Sequence, residues 1–211
     1  MRDRPFPAPQ GSSLEWREAH HWSDRRRLEG LIHQCFAAEH DARIHHFLPR
    51  LFGLWQAALP QAAVGLQRAD AGPLFQERYL DVPAERRLSE HLGRVIGRDG
   101  LAEIGNLASR RHGLQRRLFL HLIDQLAGEG LEWVVFTALP TVASGIRRLG
   151  IDLLALQPAD PARLGDDRAA WGRYYDRGPW VMAGDLQLAR HRLRAAGLLP
   201  FPREAVHERL A

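Results

Sequence analysis

A single cysteine, Cys35, occurs in the 211 residues. That excludes an internal disulfide and any cysteine-based zinc site, and it favours a reducing, cytoplasmic setting. Cys35 sits in the helix-like stretch "LIHQCFAAEH", where a buried small hydrophobe competes with a reactive thiol. No run approaches the roughly 18–20 apolar residues that a membrane-spanning helix needs. The first residues, "MRDRPFPAPQGSSLEW", lack the apolar stretch of a secretory signal and read as an irregular lead-in. His20, His21, His40, His45 and His46 show no HExxH or comparable spacing, so no metal is expected. No internal repeat, low-complexity segment, recognition helix or zinc motif is present, so nothing beyond charge supports nucleic acid as a partner. Lysine is also missing, so all 29 strongly basic side chains are arginine against 25 acidic ones. The formal net charge is +4 and the isoelectric point about 10.1. Arginine grips phosphate with a planar fork, so the excess suits an anionic partner such as nucleotide phosphates or an acidic carrier protein.

What is present is enough for one domain. Apolar residues make up 45% and charged residues 26%, the composition of an ordinary globular chain. The reading divides it into a lead-in (1–22), one domain (23–196) and a polar tail (197–211). Ser23 is a candidate N-cap for a helix that carries Leu28, Leu31, Ile32, Cys35 and Phe36 on one face. Residues 62–69 alternate as a strand, and 83–97 form a helix with Pro83 near its first turn. The second half is sharper. Residues 101–108 read as a strand and 113–130 as an amphipathic helix with Leu114, Leu118, Leu122 and Leu126 four apart. Residues 131–138 follow as a buried strand, then a short helix opened by Pro140, a strand at 151–157, a possible helix across "DRAAWGRYYDR", a strand at "PWVMAGDL" and a last helix. This order predicts an α/β sheet with flanking helices.

The stretch "EIGNLASRRHGLQRR" puts a carboxylate, a glycine and a basic cluster where a strand hands over to a helix. The first turn of a helix has unpartnered N–H groups and a positive dipole, and both favour phosphate. Gly113 would let backbone come close to a ligand. A solvated basic cap is the competing reading.

Arg110-x-x-Gly113-x-Gln115 resembles the Arg/Gln-x-x-Gly-x-Gly/Ala turn of the GCN5-related N-acyltransferase (GNAT) superfamily, with Gln115 in place of the final small residue. Several further motifs, in order, resemble the thermostable hemolysin family: "GNLAS" (105–109), "WVVFTA" (133–138), "RLG" (148–150), "ADPARL" (159–164) and "WGRYY" to "VMAG" (171–184). One departure is Ser144 or Gly145, where that family usually has Asn. "AVGLQRADAGPLFQERYLD" followed by "EIGNLA" is also similar to acyl-homoserine lactone synthases. The resemblance implies a single GNAT-like α/β domain with a mixed, mostly antiparallel twisted sheet, a splayed central strand pair and flanking helices. It implies an acyltransferase that moves an acyl group from acyl-CoA, or from the phosphopantetheine of an acyl carrier protein, to a small amine such as an amino acid or related metabolite. A membrane-active hemolysin acting through lipid binding is the alternative that the family name raises.

The resemblance also assigns roles. Glu103 would be the general base, since acyl transfer needs a neutral amine; a glutamate on the solvent face is the plain alternative. A bulge at Gly105 would bring Asn106 to the same side, where it binds substrate or makes a local turn bond. Arg68 would hold an acceptor carboxylate by a bidentate pair, or form a surface ion pair. The N–H groups of Leu107 and Ala108 would polarise the thioester carbonyl. Arg110, Arg111, Gly113, Leu114, Gln115 and Arg116 would cradle the diphosphate. Among Trp171, Tyr174 and Tyr175, a hydroxyl could protonate the leaving thiolate, or the rings could simply pack.

Overall fold

The structure is a computed structural model that describes residues 14–111 and 113–199. Most of the expected lead-in and tail, and His112, lie outside the described residues.

Seven strands form one sheet: β1 (Glu15–Glu18), β2 (Arg50–Gln56), β3 (Leu59–Arg68), β4 (Leu101–Ser109), β5 (Trp133–Ala138), β6 (Leu153–Pro158) and β7 (Trp180–Asp185). The spatial order is β1-β2-β3-β4-β5-β7-β6. Every neighbouring pair is antiparallel except β4 with β5, which run parallel. A parallel pair needs a crossover, and α3 (Leu114–Gly128) supplies it. Leu118, Leu122 and Leu126 of α3 are buried against the sheet, as their spacing predicts. On the same face lie α4 (Pro140–Arg147), with Pro140 in its first turn, and α5 (Leu186–Ala195). Asp185 caps α5 by accepting from the Leu188 N–H at 2.8 Å. The opposite face is covered by α1 (Trp22–His40) through Leu28, Leu31, Ile32 and Phe36. Beside it lie α2 (Ala84–Leu92) and several 3-10 turns.

Four features differ from the sequence reading. Residues 15–18, placed in the irregular lead-in, form edge strand β1 on β2. Helix α1 starts at Trp22 with His21, not Ser23, at the cap. The "DRAAWGRYYDR" region is made of 3-10 turns, because Gly165 (φ 58°) and Gly172 (φ 52°) take backbone angles that a helix cannot. Finally, residues 50–56, to which the sequence reading gives no element, form strand β2. On the other side of the sheet β7 lies between β5 and β6, and the burial of each explains why. Val181 and Ala183 of β7 are fully buried, whereas β6 is half-exposed and suits an edge.

The pairing of β4 decides the rest of the molecule. It meets β5 over three residues only: Leu101 opposite Trp133, Ala102 opposite Val134, and Glu103 opposite Val135. Beyond that rung the two strands part. On its other edge β4 bulges. Gly105 stays opposite Gly65, and Ala108 opposite Ala63, so Asn106 and Leu107 together face one residue. The bulge is therefore at Asn106–Leu107 rather than at Gly105. Asn106 takes φ 52°, a left-handed angle that asparagine tolerates better than most residues. Its side chain fixes it there, accepting from the Leu48 N–H (2.9 Å) and donating to the His46 carbonyl (3.1 Å). Gly65 makes room for this clamp: a Cβ there would stand 2.8 Å from Asn106 Oδ1.

Candidate active site

Where β4 and β5 part, a cavity of about 530 Å³ opens. One wall is β4 from Ile104 to Ser109 with Arg110 just beyond it, and the other is the end of β5 and the start of α4, with Phe136, Thr137, Leu139, Thr141 and Val142. Phe119 of α3 closes it from below, and Cys35, Phe36, Glu39 and His40 of α1 from above. Phe75, Gln76, Tyr79, Trp171, Tyr174 and Tyr175 form the far end.

The wedge leaves backbone available on both sides. Phe136, Thr137 and Ala138 pair with β7 on one edge and have no β4 partner on the other. Such an open edge accepts an extended ligand as an added strand. At the near end, Arg110, Arg111 and Gln115 line the cavity around the start of α3. Gly113 caps that helix with φ 89°, and no acidic residue lies in its first turn. The helix dipole is thus unopposed and the rim is cationic, the conditions for holding an anion. Arg110 also bonds the Pro60 carbonyl (3.2 Å) and Gln34 (3.4 Å).

Glu103 occupies the last paired rung and is 2% exposed. Its carboxylate accepts from the Phe75 N–H (2.6 Å), the Gln76 N–H (3.4 Å) and Gln76 Nε2 (3.2 Å). Gln76 Oε1 in turn accepts from the Thr137 hydroxyl. Burial pushes the Glu103 carboxyl up to about 7, and the donors from Gln76 and Phe75 pull the other way. The 3-10 turn carrying those donors (Phe75–Arg78) is itself pinned. Glu77 accepts from the Leu74 N–H at 2.9 Å and pairs with Arg98 at 2.6 Å. Glu103 does not line the cavity itself; Gln76 and Gly105 stand between. At Gly105 a Cβ would stand 3.2 Å from Leu48 Cδ1 and 3.9 Å from Glu103 Oε1, so the carboxylate lies just behind this backbone. A proton from the cavity would reach it by a relay and not by direct contact.

The structure separates the sequence candidates. Asn106, Leu107, Ala108, Arg110, Arg111 and Gln115 line the cavity, and Gly113, Leu114 and Arg116 shape the turn behind it without lining it. Asn106 spends its amide on the clamp to the 46–48 segment. Arg68 is elsewhere. Its guanidinium pairs with Asp70 (2.8 Å) and bonds the Asp99 carbonyl (2.9 Å), outside the cavity. It is not placed to hold a carboxylate in the site. The tie is local: β3 ends at Arg68, and the 3-10 turn Ala69–Ala71 that follows carries Asp70 back to it. Sequence reasoning missed Phe75, Gln76, Tyr79 and Thr137. Their roles come from long-range contacts that no local pattern marks.

The aromatic end is continuous. Phe75 contacts Tyr79 and Trp171, and Trp171 contacts Tyr174 and Tyr175. The Tyr79 and Tyr175 hydroxyls are hydrogen-bonded to each other. Tyr174 is fully packed, and burial raises its phenol well above the usual range. Its hydroxyl donates to the Thr137 carbonyl on the open edge of β5 at 3.4 Å. The rings do pack, and one hydroxyl also reaches the edge where a ligand strand would lie. His40 contacts Phe36 and Tyr174. Burial lowers its pKa, so it is neutral near pH 7, and its Nδ1 has no partner among the described residues.

Comparison with known proteins follows the same outline. A sequence profile described as "Thermostable hemolysin" matches residues 18–190. No curated protein sequence matches the chain. Among solved structures, FeeM, an N-acyl amino acid synthase from uncultured soil microbes, is 13% identical with TM-score 0.63, covering 89% of this chain and 99% of that one. BjaI, a CoA-dependent acyl-homoserine lactone synthase solved with SAM and isopentyl-CoA, is 13% identical with TM-score 0.61, covering 91% and 96%. An acyl-CoA N-acyltransferase from Pseudomonas aeruginosa is 14% identical with TM-score 0.52, covering 81% and 99%. At such identities the likeness is one of fold.

Proposed function

The chain belongs to the thermostable hemolysin family, and we propose that it is an N-acyltransferase that moves an acyl group from a CoA-type thioester to a small amine. The observation that carries this reading is the parted β4–β5 pair, which opens onto a cavity with a cationic helix start at one end and, behind Gln76 and Gly105 at the other, the buried carboxyl of Glu103. The thioester arm, from acyl-CoA or from a carrier protein's phosphopantetheine, lies along the open edge of β5 as an added strand. Its diphosphate, or the single phosphate of a carrier, sits at Arg110, Arg111 and the first N–H groups of α3. The positive net charge also suits an acidic carrier protein.

The chemistry is direct attack. The amine lone pair forms a C–N bond to the thioester carbon, and the oxygen gathers negative charge beside the bulge, where the Leu107 N–H is the proposed donor. The C–S bond then breaks. Glu103, ionised above about pH 7, takes the amine proton by a relay. Tyr174, kept protonated by burial, donates a hydrogen bond to the departing thiolate, which takes up the second nitrogen proton as it leaves as the thiol. No covalent enzyme intermediate is needed, because holding both reactants together supplies much of the rate. An acyl chain joined to an amine is an amphiphile, and such a product accounts for a lytic name without a pore. Among the described residues, no helix is long and apolar enough to cross a membrane.

Thermal shift with acyl-CoA and CoA, followed by thiol release on adding amines, tests the reading. The expected result is a melting temperature raised by acyl-CoA and thiol release that depends on amine. A melting temperature unmoved by either ligand overturns it.

A further inference from the structure

The far end of the cavity carries information about the acceptor. Its surface is made by Phe75, Tyr79, Trp171, Tyr174 and Tyr175, with Gln76 among them. These rings lie next to the Phe75–Gln76 donors that hold Glu103, so this is the end where the proton would be taken. A carboxylate entering here would need a cation to replace its water. Most of the nearby cations are already committed. Arg68 is on Asp70 and outside the cavity. Arg78 pairs with Asp167 at 2.7 Å and lies over the Phe75 ring, with its Cζ 5.3 Å from the ring centroid. Arg177 pairs with Glu39 at 3.2 Å. His40 is buried and uncharged near neutral pH. The other arginines that line the cavity, Arg110 and Arg111, lie at the opposite end, at the start of α3, and Arg173, near His40, is exposed and does not line it.

Ring faces attract ammonium groups and pack apolar bodies, and they repel carboxylates. From the proposed transferase reading and this lining, we infer that the acceptor is a primary amine with an apolar or aromatic body and no carboxylate, and not an α-amino acid. The amine docks as its ammonium ion among the rings. It loses one proton toward Glu103, attacks the thioester carbon, and leaves as the amide while the thiol departs.

The test uses the whole chain, one long-chain acyl-CoA and matched acceptors: phenethylamine against phenylalanine, and tyramine against tyrosine. The carboxylate-free member of each pair is expected to have a kcat/KM at least about tenfold higher, the equivalent of one unpaired buried charge. Trp171→Ala, once shown to fold by its melting transition, is expected to raise KM for phenethylamine about fivefold while acyl-CoA still binds. Equal or better use of the amino acids overturns the inference, and so does acyl-CoA binding with neither class acylated. Failure of acyl-CoA to bind at all is a separate result, read in the thermal shift, and it sinks the transferase reading on which the inference stands.

Discussion

The two edges of β5 have opposite fates. Along one, all six residues from Trp133 to Ala138 pair with β7. Along the other, pairing with β4 stops after Val135. The closed edge is built from buried side chains such as Val181, Met182 and Ala183 and has no polar group to satisfy beyond its own ladder. The open edge lies across from a bulge, a left-handed asparagine and an elevated carboxyl. One strand therefore serves as scaffold on one side and binding surface on the other. Backbone at a parted edge must find another partner, and on β5 the Thr137 carbonyl finds the Tyr174 hydroxyl.

The largest break in this comparison comes at the last closed rung. Glu103→Gln is expected to lower turnover about 10²- to 10⁴-fold, the usual worth of a general base, with acyl-CoA binding retained. The wild-type kcat/KM is expected to climb with pH through about 7, and the variant's residual rate to lose that limb. Stability moves the opposite way. The folded carboxyl has its pKa above the ordinary value, so the native state holds the proton more tightly. Its contribution is present below about pH 4.5 and is lost as pH rises to about 7, amounting to about 3 kcal/mol. Glu103→Gln is therefore expected to melt at the same temperature or higher at pH 8 by calorimetry. A variant that is inactive and also much less stable at pH 8 would reduce Glu103 to a packing role.

On the closed edge, Met182→Ala is expected to cost about 3 kcal/mol in denaturant unfolding, because Met182 is 3% exposed in the core under α3 and α5. Acyl-CoA affinity, measured by calorimetry at a temperature where the variant is folded, should stay within about twofold. On the open edge, Asn106→Ala removes the clamp to His46 and Leu48 and puts alanine at φ 52°. About 2 kcal/mol of stability should go, and Asn106→Gly should recover the part due to backbone angle but not the part due to the clamp. The smallest effect is at the rim. Arg111→Ala is expected to weaken acyl-CoA about five- to tenfold, with the gap narrowing as salt is raised.

The same contrast explains what the sequence disclosed. Leu118, Leu122 and Leu126 mark α3, and "WVVFTA" marks β5, because burial on a helix stripe or a central strand leaves a periodic trace. Strand β1 escaped because four residues at a sheet edge leave little trace. The phosphate-turn residues were legible as a local motif. The partners of Glu103 were not: Phe75 and Gln76 lie 28 and 27 residues before it in the chain. Arg68 shows the converse, since its tie to Asp70 is local and its absence from the cavity is not. The bulge fell on Asn106 and not Gly105 because the deciding interaction is the bond to Leu48, which only the folded chain brings near.

Cys35 provides the most direct probe of the opening. It is the chain's only cysteine and it lines the cavity beside Arg110, where burial raises its thiol pKa. Its alkylation by iodoacetamide can be followed by mass spectrometry at alkaline pH, since the thiolate is the reacting form. With acyl-CoA, which carries no free thiol, at about ten times its dissociation constant, the account predicts labelling slowed about tenfold. Labelling at an unchanged rate under saturating acyl-CoA would mean that the parted strands hold no thioester arm.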